Sequence, residues 1–598
     1  MKNDFRVGLY VSFCLMSAFM LIGFMLLAVR LQPGKLGESV GLASERQPRR
    51  YSRVVRTGGL RGRILDRNGS PLAENVLSLV VKADPGAFRP KKSGETVEAN
   101  MVAAVFALEP VIGRPSLCGS GEDALAYFSA QLKRDQVKPV DVWRNLSEEE
   151  LARFCEHSCE HQGFVCRPES ERRYPCGSLA AHVIGSVRRD DVPPAADSRR
   201  VSYREKELRG REGMEYQYDS YLRSVPGEDR LTVDVRGRTI SRETLVPAGP
   251  GCDLRLTLDI PLQRAVEAQL DGCLGACVAI DPRDGAILAC ASAPSYDLND
   301  FVPVLTSAVY DRLRNDPAKP LLNRATAGTY PPGSTFKPVT ALAGLESGWP
   351  RESTYLCSGA YELGGMRIRC GRTWGHGPEN VIHALRDSCN PFFCNLGQKA
   401  GTNAVMTAAR KFGLGERTGV DFPTDAPGVV PDEEWKLARY GTKWYPGDLA
   451  QMSLGQGMLL VTPLQLACVA GALGTGRLVT PHFNFDMPSR AFPLDFRRRD
   501  LDVVREGMRR VVADGTGRLA GKGVDARIIG KTGTAEVGEG ARRRKNTWFI
   551  AYAEPTGTSR GRSPVALALL VENGESGGGT AAPKVCEILK SFYGEVPL

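Results

Sequence analysis

Two groups of strand-like sequence bound the second half of this 598-residue chain, and helical sequence fills the interval between them. The first group, "ACVAIDPRDGAILACASAP" at residues 276–294, contains two β runs around Asp284-Gly285, a pair typical of a hairpin turn. The second group holds three β runs, "DARIIGKTGTAEV", "NTWFIAYAEP" and "PVALALLVEN", and a closing helix follows at residues 583–592. Strands that join one sheet leave the intervening helices to pack on its faces, so this pattern predicts a layered α/β (α+β) domain.

The first half of the chain has the features of a scaffold for that domain. After a polar, arginine-rich linker, "ILDRNGSPLA" predicts a strand, an Asn-Gly turn and a second strand. The stretch to Pro250 mixes short strands with polar helices such as residues 147–154, and it shows no nucleophile with a nearby base. A new domain begins near Cys252, where an alternating strand leads through Asp259 into an apolar-periodic helix. We assign residues 1–30 to a tail and anchor, 31–250 to a mixed strand/helix pedestal and 251–598 to the layered domain.

An uncharged apolar run from Val7 to Val29 is long enough to cross the hydrocarbon layer of a membrane as a helix. A cleavable signal peptide has a shorter apolar core that ends at small residues, whereas Arg30 follows directly here, so we expect an uncleaved anchor. Lys2 and Arg6 flank the short N-terminal side and keep it in the cytoplasm. These features predict a single-pass protein of the inner membrane whose catalytic domain is extracytoplasmic, in the periplasmic space.

The formal net charge of +10 comes from arginines spread along the chain, without the aromatic interleaving or zinc-finger spacing of a nucleic-acid binder. We therefore expect no nucleic-acid partner, and a solvated basic surface that also suits anionic lipid headgroups. Of sixteen cysteines only Cys14 lies in the apolar run, so fifteen thiols are predicted to face a compartment where disulfides persist. An odd number cannot all pair, so some must be free, buried or bound to metal.

The stretch "AGTYPPGSTFKPVTALAGLE" sets a serine and a lysine three positions apart at the start of a predicted helix. Two prolines and a glycine before Ser334 end any preceding helix, and the first helical turn tolerates Pro338. Positions three apart share one face of a helix, so the Lys337 amine is expected beside the Ser334 hydroxyl. A serine becomes nucleophilic when a neighbour takes its proton, and a lysine can do so when burial or adjacent positive charge lowers its pKa.

Two further motifs follow this pair: "SCN" at residues 388–390, and "KTGT" at residues 531–534 on a predicted strand. In this order the three resemble the S-x-x-K, S-D-N and K-T-G signature of penicillin-binding proteins and class A β-lactamases, with Cys389 in the aspartate position. Each motif alone also has an ordinary structural explanation. Ser334 can cap a helix, Ser388 and Asn390 can form a turn, and the lysine motif can be a strand that ends in a loop.

The residue types in these motifs fit an acyl-transfer site with a serine acyl-enzyme. Ser388 can relay protons between Lys337 and an amine, and Asn390 can hold a substrate amide. Lys531 offers a cation to a terminal carboxylate, and Gly533 lets an extended peptide approach the strand edge. Backbone N–H groups of Ser334 and Thr534 are the expected oxyanion hole. Catalytic roles are thus predicted for Ser334, Lys337, Ser388, Asn390 and Lys531, and substrate contacts for Thr532, Gly533 and Thr534.

Over nearly its whole length past the apolar run, the chain resembles the class B penicillin-binding proteins. In the first half the resemblance lies in "RGRILDRNG", "RRYPCGSLAAHVIGSV" and "GREGMEYQYDSYLRSVPG". In the second half it lies in "AIDPRDGAILACASAPSYDLNDF", "SLGQGMLLVTPLQLA" and "AAPKV". Within the class, the chain is most similar to the penicillin-binding protein 2 group, the transpeptidases of side-wall elongation.

The resemblance implies a penicillin-binding/β-lactamase-like transpeptidase domain on a dimerisation-type pedestal. Such enzymes cross-link peptidoglycan during cell elongation and shape maintenance: the serine attacks the D-Ala-D-Ala end of a stem peptide, releases D-alanine and passes the acyl group to a neighbouring amine. It also implies weak carboxypeptidase activity, acylation by β-lactam antibiotics, and partnership with a SEDS polymerase of the RodA type and with MreC. The alternatives are a division-specific paralogue, a carboxypeptidase or β-lactamase, and an acylated β-lactam sensor without turnover.

A cysteine and histidine set lies just before and within "SCN". Cys357, Cys370, His376 and Cys389 are ligand types that tetrahedral zinc takes, and several penicillin-binding proteins 2 bind zinc in this segment, so the resemblance implies a zinc site. Four protein ligands leave no open position, which makes the metal structural. The alternatives are a disulfide between Cys357 and Cys370 with Cys389 as a small buried hydrophobe, and His383 as the nitrogen ligand.

Two other patterns have no place in this function. "FCEHSCEHQGFVC", followed by Cys176, suggests a metal site or disulfides, and an exported domain favours disulfides. The run "RRRK" from Arg542 to Lys545 predicts an exposed loop between strands near the site.

Overall fold

The computed structural model describes residues 51–90, 94–134, 139–157, 161–190, 203–204, 207–233, 239–538 and 544–594. The strands of the pedestal are β1 Tyr51–Thr57, β2 Ile64–Leu65, β3 Pro71–Ala83, β4 Val140–Trp143, β5 Phe164–Arg173, β6 Val187–Asp190, β7 Tyr203–Arg204, β8 Glu207–Gly210, β9 Gly227–Val233, β10 Thr239–Val246 and β11 Leu254–Arg255. Its helices are α1 Val97–Ile112, α2 Glu122–Arg134, α3 Glu148–Glu156, α4 Ala181–Ile184, α5 Gly213–Gln217 and α6 Asp219–Leu222.

The pedestal is built on two main sheets. One has the order β10-β9-β1-β7, and the other has the order β11-β2-β3-β4, with β5 also paired to β3. The predicted hairpin at "ILDRNGSPLA" is confirmed, since Ile64 of β2 lies opposite Ala73 of β3 in an antiparallel pair. The polar helix predicted at residues 147–154 is confirmed as α3, which Ser147 and Glu150 start with a reciprocal capping box.

The chain passes from the pedestal into the second region through β11, which runs parallel to β2. Only two residues pair there, but the predicted alternation continues and buries Leu254, Leu256 and Leu258. These leucines join a hydrophobic core that also contains Met214 of the pedestal and Val278 of the second region. The two regions therefore share buried apolar surface, which fixes their relative position more firmly than a linker would.

The second region contains the remaining elements. Its strands are β12 Gly275–Ile280, β13 Ile287–Ala293, β14 Tyr355–Cys357, β15 Ala360–Leu363, β16 Met366–Arg369, β17 Gly377–Glu379, β18 Arg477–Val479, β19 Ala491–Pro493, β20 Ala526–Val537, β21 Arg544–Pro555 and β22 Val565–Val571. Its helices are α7 Ile260–Leu270, α8 Ser307–Asn315, α9 Lys337–Glu346, α10 Val381–Arg386, α11 Asn390–Ala400, α12 Thr402–Lys411, α13 Glu433–Tyr440, α14 Pro446–Ser453, α15 Pro463–Thr475, α16 Arg498–Ala513 and α17 Ala582–Tyr593.

The two distant strand groups form one antiparallel sheet, with the order β13-β12-β22-β21-β20. Residues alternate between its faces: Leu567 faces α7 and α17, whereas Leu570 faces the side of α15 and α9. Both faces are covered by helices, so the layered architecture predicted from the strand groups is confirmed. The "RRRK" run lies partly outside the described residues, and its Arg544 and Lys545 already belong to β21.

Two sequence predictions about the wider chain have different outcomes. No helix in the described ranges is both long and apolar enough to cross a membrane, and the run Val7–Val29 lies outside those ranges. The disulfide interpretation of the second cysteine cluster is wrong for Cys166 and Cys176, which both carry free thiols. Cys166 packs against the core around α1 and α2, whereas Cys176 packs against the core shared with the second region, so the two thiols do not lie together.

Candidate active site

Ser334 lies in one turn of 3-10 helix, Gly333–Phe336, that leads into α9. The prediction of a regular α-helix from Ser334 is therefore wrong at its first turn. An α-helix would need the N–H of residue 338 to bond to the Ser334 carbonyl, but Pro338 has none, so the Lys337 N–H bonds to it instead. Ser334 does not cap the helix, since the N-cap position of the turn is Pro332, and its side chain is left half-buried at the site.

The Lys337 side chain is buried, and its amine makes three hydrogen bonds. It donates to the Ser388 carbonyl (2.7 Å), to Ser388 Oγ (3.2 Å) and to Asn390 Oδ1 (2.7 Å). An ammonium has three donors, so these contacts use all of them. Within the described part of the chain, no hydrogen bond joins Lys337 Nζ to Ser334 Oγ. Ser334 and Lys337 are therefore one helical turn apart, as predicted, but their side chains are not hydrogen-bonded. The Lys337 amine must lose a proton before it can accept one from a serine.

Ser388 connects the three motifs, because its side chain bonds to a lysine from each of the other two. Its backbone has φ 55°, a left-handed conformation that is uncommon outside glycine. Its Oγ accepts hydrogen bonds from Lys337 Nζ at 3.2 Å and from Lys531 Nζ at 3.0 Å. These two donors use both lone pairs of the hydroxyl, so the Ser388 O–H hydrogen is free to point to a third partner. This is the arrangement that a proton relay between an amine and a reacting group requires.

Burial lowers the pKa values of both lysines in the site. The pKa of Lys337 falls to about 8 because its amine is desolvated. Desolvation lowers the pKa of Lys531 well below its usual range, and the positive charge of Lys337 adds to this effect. The Lys337 amine therefore releases a proton far more readily than an exposed lysine, which is what a general base needs. A carboxylate that approached Lys531 would favour the charged form of that amine again.

Asn390 begins helix α11 and is held at both ends of its side chain. Its Oδ1 accepts from Lys337 Nζ, and its Nδ2 donates to the Arg369 carbonyl at 2.9 Å. The predicted role of Asn390 was to hold a substrate amide. In this structure the carboxamide instead ties Lys337 to the end of β16, so a substrate amide would have to share or replace one of these two bonds.

The "KTGT" motif lies on β20, the edge strand of the central sheet next to the Ser334 turn. Thr532 Oγ1 shares a hydrogen bond of 2.8 Å with Thr516 Oγ1, and Thr534 Oγ1 accepts from the Gly577 N–H at 3.2 Å. Both predicted substrate-contact threonines thus have hydroxyls that are fixed by neighbouring segments. Their backbone groups are left as the means of contact with an extended peptide.

Glycine is needed at position 533 for a reason different from the one that the sequence suggested. A Cβ at this position would lie 2.8 Å from Thr335 Cγ2, 2.9 Å from the Pro332 carbonyl oxygen and 3.0 Å from Trp548 Cβ. The prediction was that glycine leaves room for a peptide substrate. The structure shows that it leaves room for the turn that carries Ser334, which packs directly on β20.

The four predicted metal ligands come together although they lie on separate segments. Cys357 ends β14, Cys370 follows β16, His376 precedes β17, and Cys389 follows α10. Their ligand atoms all lie within 4.8 Å of one another, and His376 Nδ1 is 3.8 Å from Cys357 Sγ and 3.3 Å from Cys370 Sγ. Cys357 and Cys370 are free thiols, so the disulfide alternative is wrong, and the alternative ligand His383 is exposed on α10 outside the group.

The chemistry of this donor set fits zinc. A tetrahedral ion with Zn–S bonds of about 2.3 Å has ligand atoms roughly 3.8 Å apart, close to the separations found here. The three thiols are buried, and a hydrogen bond from Cys389 lowers the pKa of Cys370. A site of three thiols and one imidazole matches the Cys₃His type of closed structural site.

Sequence reasoning noted "SLGQGMLLVTPLQLA" only for its resemblance and missed that its first residues support the Ser334 turn. The Gly333 N–H donates to the Gly455 carbonyl at 2.7 Å, and Gln456 Nε2 donates to the Thr534 carbonyl at 3.1 Å. Trp548 Nε1 donates to the Pro331 carbonyl at 3.0 Å. The closely spaced glycines of "SLGQG" indicate a turn between two helices, but nothing local in the sequence places that turn against Ser334.

Comparison with known proteins agrees with both regions. The penicillin binding protein transpeptidase domain matches residues 275–590, and the penicillin-binding protein dimerisation domain matches residues 56–256. The peptidoglycan D,D-transpeptidase MrdA of Escherichia coli (strain K12) is 32% identical over 545 residues, which cover 86% of this chain and 84% of that protein.

Solved structures agree as well. The complex between penicillin-binding protein (PBP2) and MreC from Helicobacter pylori aligns with a TM-score of 0.75 at 26% identity, covering 91% of this chain and 99% of that chain. A structure described as "structural coordination of polymerization and crosslinking by a peptidoglycan synthase complex" aligns with a TM-score of 0.73 at 29% identity, covering 98% of both chains. With the transpeptidase model matched over more than half of its length, the chain belongs to the class B penicillin-binding proteins.

Proposed function

We propose that this chain is a peptidoglycan D,D-transpeptidase of cell elongation, a serine-type D-Ala-D-Ala transpeptidase that works through an acyl-enzyme. The observation that carries this function is the pair of buried lysines, Lys337 and Lys531, which both donate to Ser388 Oγ beside the Ser334 turn. The name of the Escherichia coli relative, peptidoglycan D,D-transpeptidase, supports the same reaction. The relatives named MrdA and the similar PBP2 structures favour elongation over the division-specific alternative.

In the first half of the reaction, the Ser334 hydroxyl attacks the carbonyl carbon of the penultimate D-alanine of a stem peptide. Its proton passes to the neutral amine of Lys337, directly or through Ser388. The N–H groups of Ser334 and Thr534 stabilise the oxyanion that forms. The peptide bond then breaks, D-alanine leaves with a proton supplied through Lys337 and Ser388, and an ester remains on Ser334.

In the second half, an amine of a neighbouring stem peptide attacks this ester, forms the new peptide bond and frees Ser334. If water attacks instead, the product is that of a carboxypeptidase. β-Lactams enter the same first step, because their strained amide takes the place of the D-Ala-D-Ala bond. Lys531 uses two donors on Ser388 Oγ and the Thr532 carbonyl, which leaves its third donor for a terminal carboxylate.

Labelling with a fluorescent penicillin tests this assignment. The full chain in detergent should take up one label, and peptide mass analysis should place it on Ser334. Ser334→Ala should abolish labelling, whereas Ser347→Ala, at the exposed end of the same helix, should leave it unchanged. A label on another residue of the natively folded protein would rule out the proposed site.

A structural zinc ion is the second part of the proposal. Cys357, Cys370, His376 and Cys389 would hold it, and a bound zinc would brace the segment before "SCN" without touching substrate. The ion would stabilise the backbone next to Lys337. Cys370 adjoins Arg369 and Cys389 adjoins Asn390, and a hydrogen bond joins Arg369 to Asn390. The donor set and its closeness support this role.

Metal analysis of the purified full chain tests the zinc proposal directly. We expect one zinc per chain, lost in Cys357→Ser. Cys468→Ser is the matched control, because Cys468 is also buried but lies on α15 outside the cluster, and it should keep the metal. A native protein without zinc after purification in reducing, chelator-free buffer contradicts the proposal.

We also propose that residues 1–30 anchor the protein in the inner membrane, with the N-terminus in the cytoplasm and the catalytic domain in the periplasm. The uncharged run from Val7 to Val29 supports this. Alkaline carbonate should leave the full chain in the membrane fraction and release a chain that lacks residues 1–30. Protease added to spheroplasts should digest the catalytic domain, and protection of that domain would contradict this topology.

The proposed partners are MreC and a SEDS polymerase of the RodA type. The support comes from the Helicobacter pylori complex of PBP2 with MreC and from the similar peptidoglycan synthase complex. Co-purification from detergent-solubilised membranes, with each candidate tagged in turn, tests this. Failure of both to co-purify with a membrane-inserted, penicillin-labelled chain would count against the partnership and leave the chemistry intact.

A further inference from the structure

The open edge of β20 carries a backbone carbonyl that the sheet does not use. β20 pairs with β21 along its other edge. Gln456 Nε2 bonds to the Thr534 carbonyl, and a Cβ on Gly333 would lie 2.8 Å from the same oxygen, so this carbonyl faces the Ser334 turn. In a strand the N–H and C=O of one residue point to the same edge, so the Thr534 N–H faces the turn as well.

Gln456 reaches this carbonyl from a firmly held position. Its backbone N–H donates to the Gln451 carbonyl at 2.9 Å, which ties it to the end of α14, and its side chain is half-buried. The N–H and the C=O of Thr534 are joined through one Cα. A bond that holds the carbonyl therefore limits the rotation of the N–H that is proposed to stabilise the oxyanion.

Gly455, the residue before Gln456, contacts the Ser334 turn on the other side of the site. The Gly455 carbonyl accepts the Gly333 N–H at 2.7 Å, and a Cβ on Gly455 would lie 2.1 Å from the Gly333 carbonyl oxygen. The dipeptide Gly455-Gln456 thus contacts both Gly333, which precedes Ser334, and Thr534. These are the two places where the oxyanion donors sit, and their separation determines whether both reach one oxygen.

We propose that Gln456 is a positioning residue for acyl transfer, whose carboxamide holds Thr534 so that the N–H groups of Ser334 and Thr534 converge on one oxyanion. This inference rests on the oxyanion hole proposed above and adds a side chain that need not touch the reacting atoms. One such donor contributes about 10²–10³ in rate, so misdirecting it should slow acylation about 10- to 100-fold. Binding of the penicillin before acylation should change little.

Gln456→Glu tests this role, because the isosteric carboxyl can donate to the Thr534 carbonyl only while it is protonated. Acylation of the full chain by a fluorescent penicillin is followed from about pH 4 to about pH 9, and the variant rate is divided by the native rate at each pH. At high pH the ratio should be about 0.01–0.1. It should rise towards one as the pH falls through the pKa of the new carboxyl, near 4.3 or higher when desolvated.

Two further variants make the result specific. Gln456→Ala should lose a similar factor, but its ratio should not vary with pH. Gln398→Glu is the matched control. Gln398 Nε2 also donates to a backbone carbonyl, that of Pro446 at 2.7 Å, but this hydrogen bond does not involve the Ser334 turn. Its ratio should stay near one throughout.

The positioning role is overturned if Gln456→Glu is acylated at the native rate at every pH, or if its loss is the same at every pH. In either case a label on Ser334 leaves the proposed transpeptidase site standing. A label that maps elsewhere in the native chain refutes the site itself. Thermal unfolding of each variant confirms that the compared proteins are equally folded.

Discussion

Two buried polar clusters in this protein, one in the pedestal and one at the active site, surround their positive side chains with different partners. In the pedestal, Arg61 Nε lies 2.7 Å from one carboxylate oxygen of Glu215, and Arg172 Nε lies 2.8 Å from the other. Asp219 adds a second carboxylate, 2.7 Å from Arg61 Nη1. At the active site, two lysine amines converge instead on neutral oxygens of Ser388 and its neighbours.

The pKa values show what this difference does. Burial alone would lower the pKa of Arg61, but the charges and hydrogen bonds of Glu215 and Asp219 outweigh it, so the pKa is raised. For Lys337 burial is not offset by a nearby carboxylate, and its pKa falls to about 8. A buried charge with an opposite partner stays ionised and serves structure. A buried amine among neutral acceptors gives up its proton readily and can serve as a base.

The largest expected effect comes from removing Lys337, the proposed base. Lys337→Met keeps a long apolar side chain in the buried position but removes the amine, so penicillin acylation should slow about 10²–10⁴-fold. Stopped-flow or gel-based labelling measures the rate. Lys399→Met, at an exposed lysine on α11, should acylate at the native rate. Native-rate acylation by Lys337→Met would remove the distinction between the two clusters.

The corresponding change in the pedestal should affect stability instead of chemistry. Glu215→Gln leaves two buried guanidinium groups without their shared carboxylate, which should lower the free energy of unfolding by about 3–5 kcal/mol. Urea unfolding measures this, and the folded protein should still acylate at the native rate. Glu243→Gln breaks an exposed pair with Arg230 and should cost less than about 1 kcal/mol. A stable Glu215→Gln protein would contradict the structural role of the cluster.

The pH dependence of acylation sharpens the active-site side of the comparison. Only the neutral Lys337 amine can accept a proton, and its pKa is about 8. The acylation rate should therefore rise about tenfold per pH unit below that value and level off above it. The sign for folding agrees: the unfolded chain, with an ordinary lysine pKa near 10.4, binds more protons, so this group makes the protein more stable as pH rises from about 8 to about 10. An acylation rate that is flat between about pH 6 and about pH 8 would exclude Lys337 as the base.

The smallest effect tests how closely the lysine strand is held against the Ser334 turn. Gly533→Ala adds a Cβ that would lie 2.9 Å from the Pro332 carbonyl oxygen, so overpacking should cost about 1–3 kcal/mol and displace the turn. Thermal unfolding and acylation rate should fall together. Gly561→Ala, in open space, is the control. A variant with native stability and slow turnover of stem peptide alone would restore the substrate-clearance explanation of this glycine.

The predictable features were those that local sequence controls. Hairpin signals placed β12 and β13, and alternating leucines placed the buried face of residues 254–258, because each depends on the backbone preferences of a few neighbouring residues. The catalytic motifs were found as patterns. Their hydrogen bonds were not, since Lys337 contacts Ser388 and Asn390 more than fifty positions away.

The sequence by itself determined which residues could do chemistry: a serine and a lysine one turn apart, two further motifs in order, and four zinc-type ligands. Only the tertiary structure decided how they act. Burial among neutral oxygens sets the pKa of Lys337, and packing against the Ser334 turn explains Gly533. Residues 455 and 456 contact both the Ser334 turn and β20, which are far apart in the sequence. The physical reason is that desolvation and close contact depend on what folds over a residue, and neighbours in the sequence do not specify that.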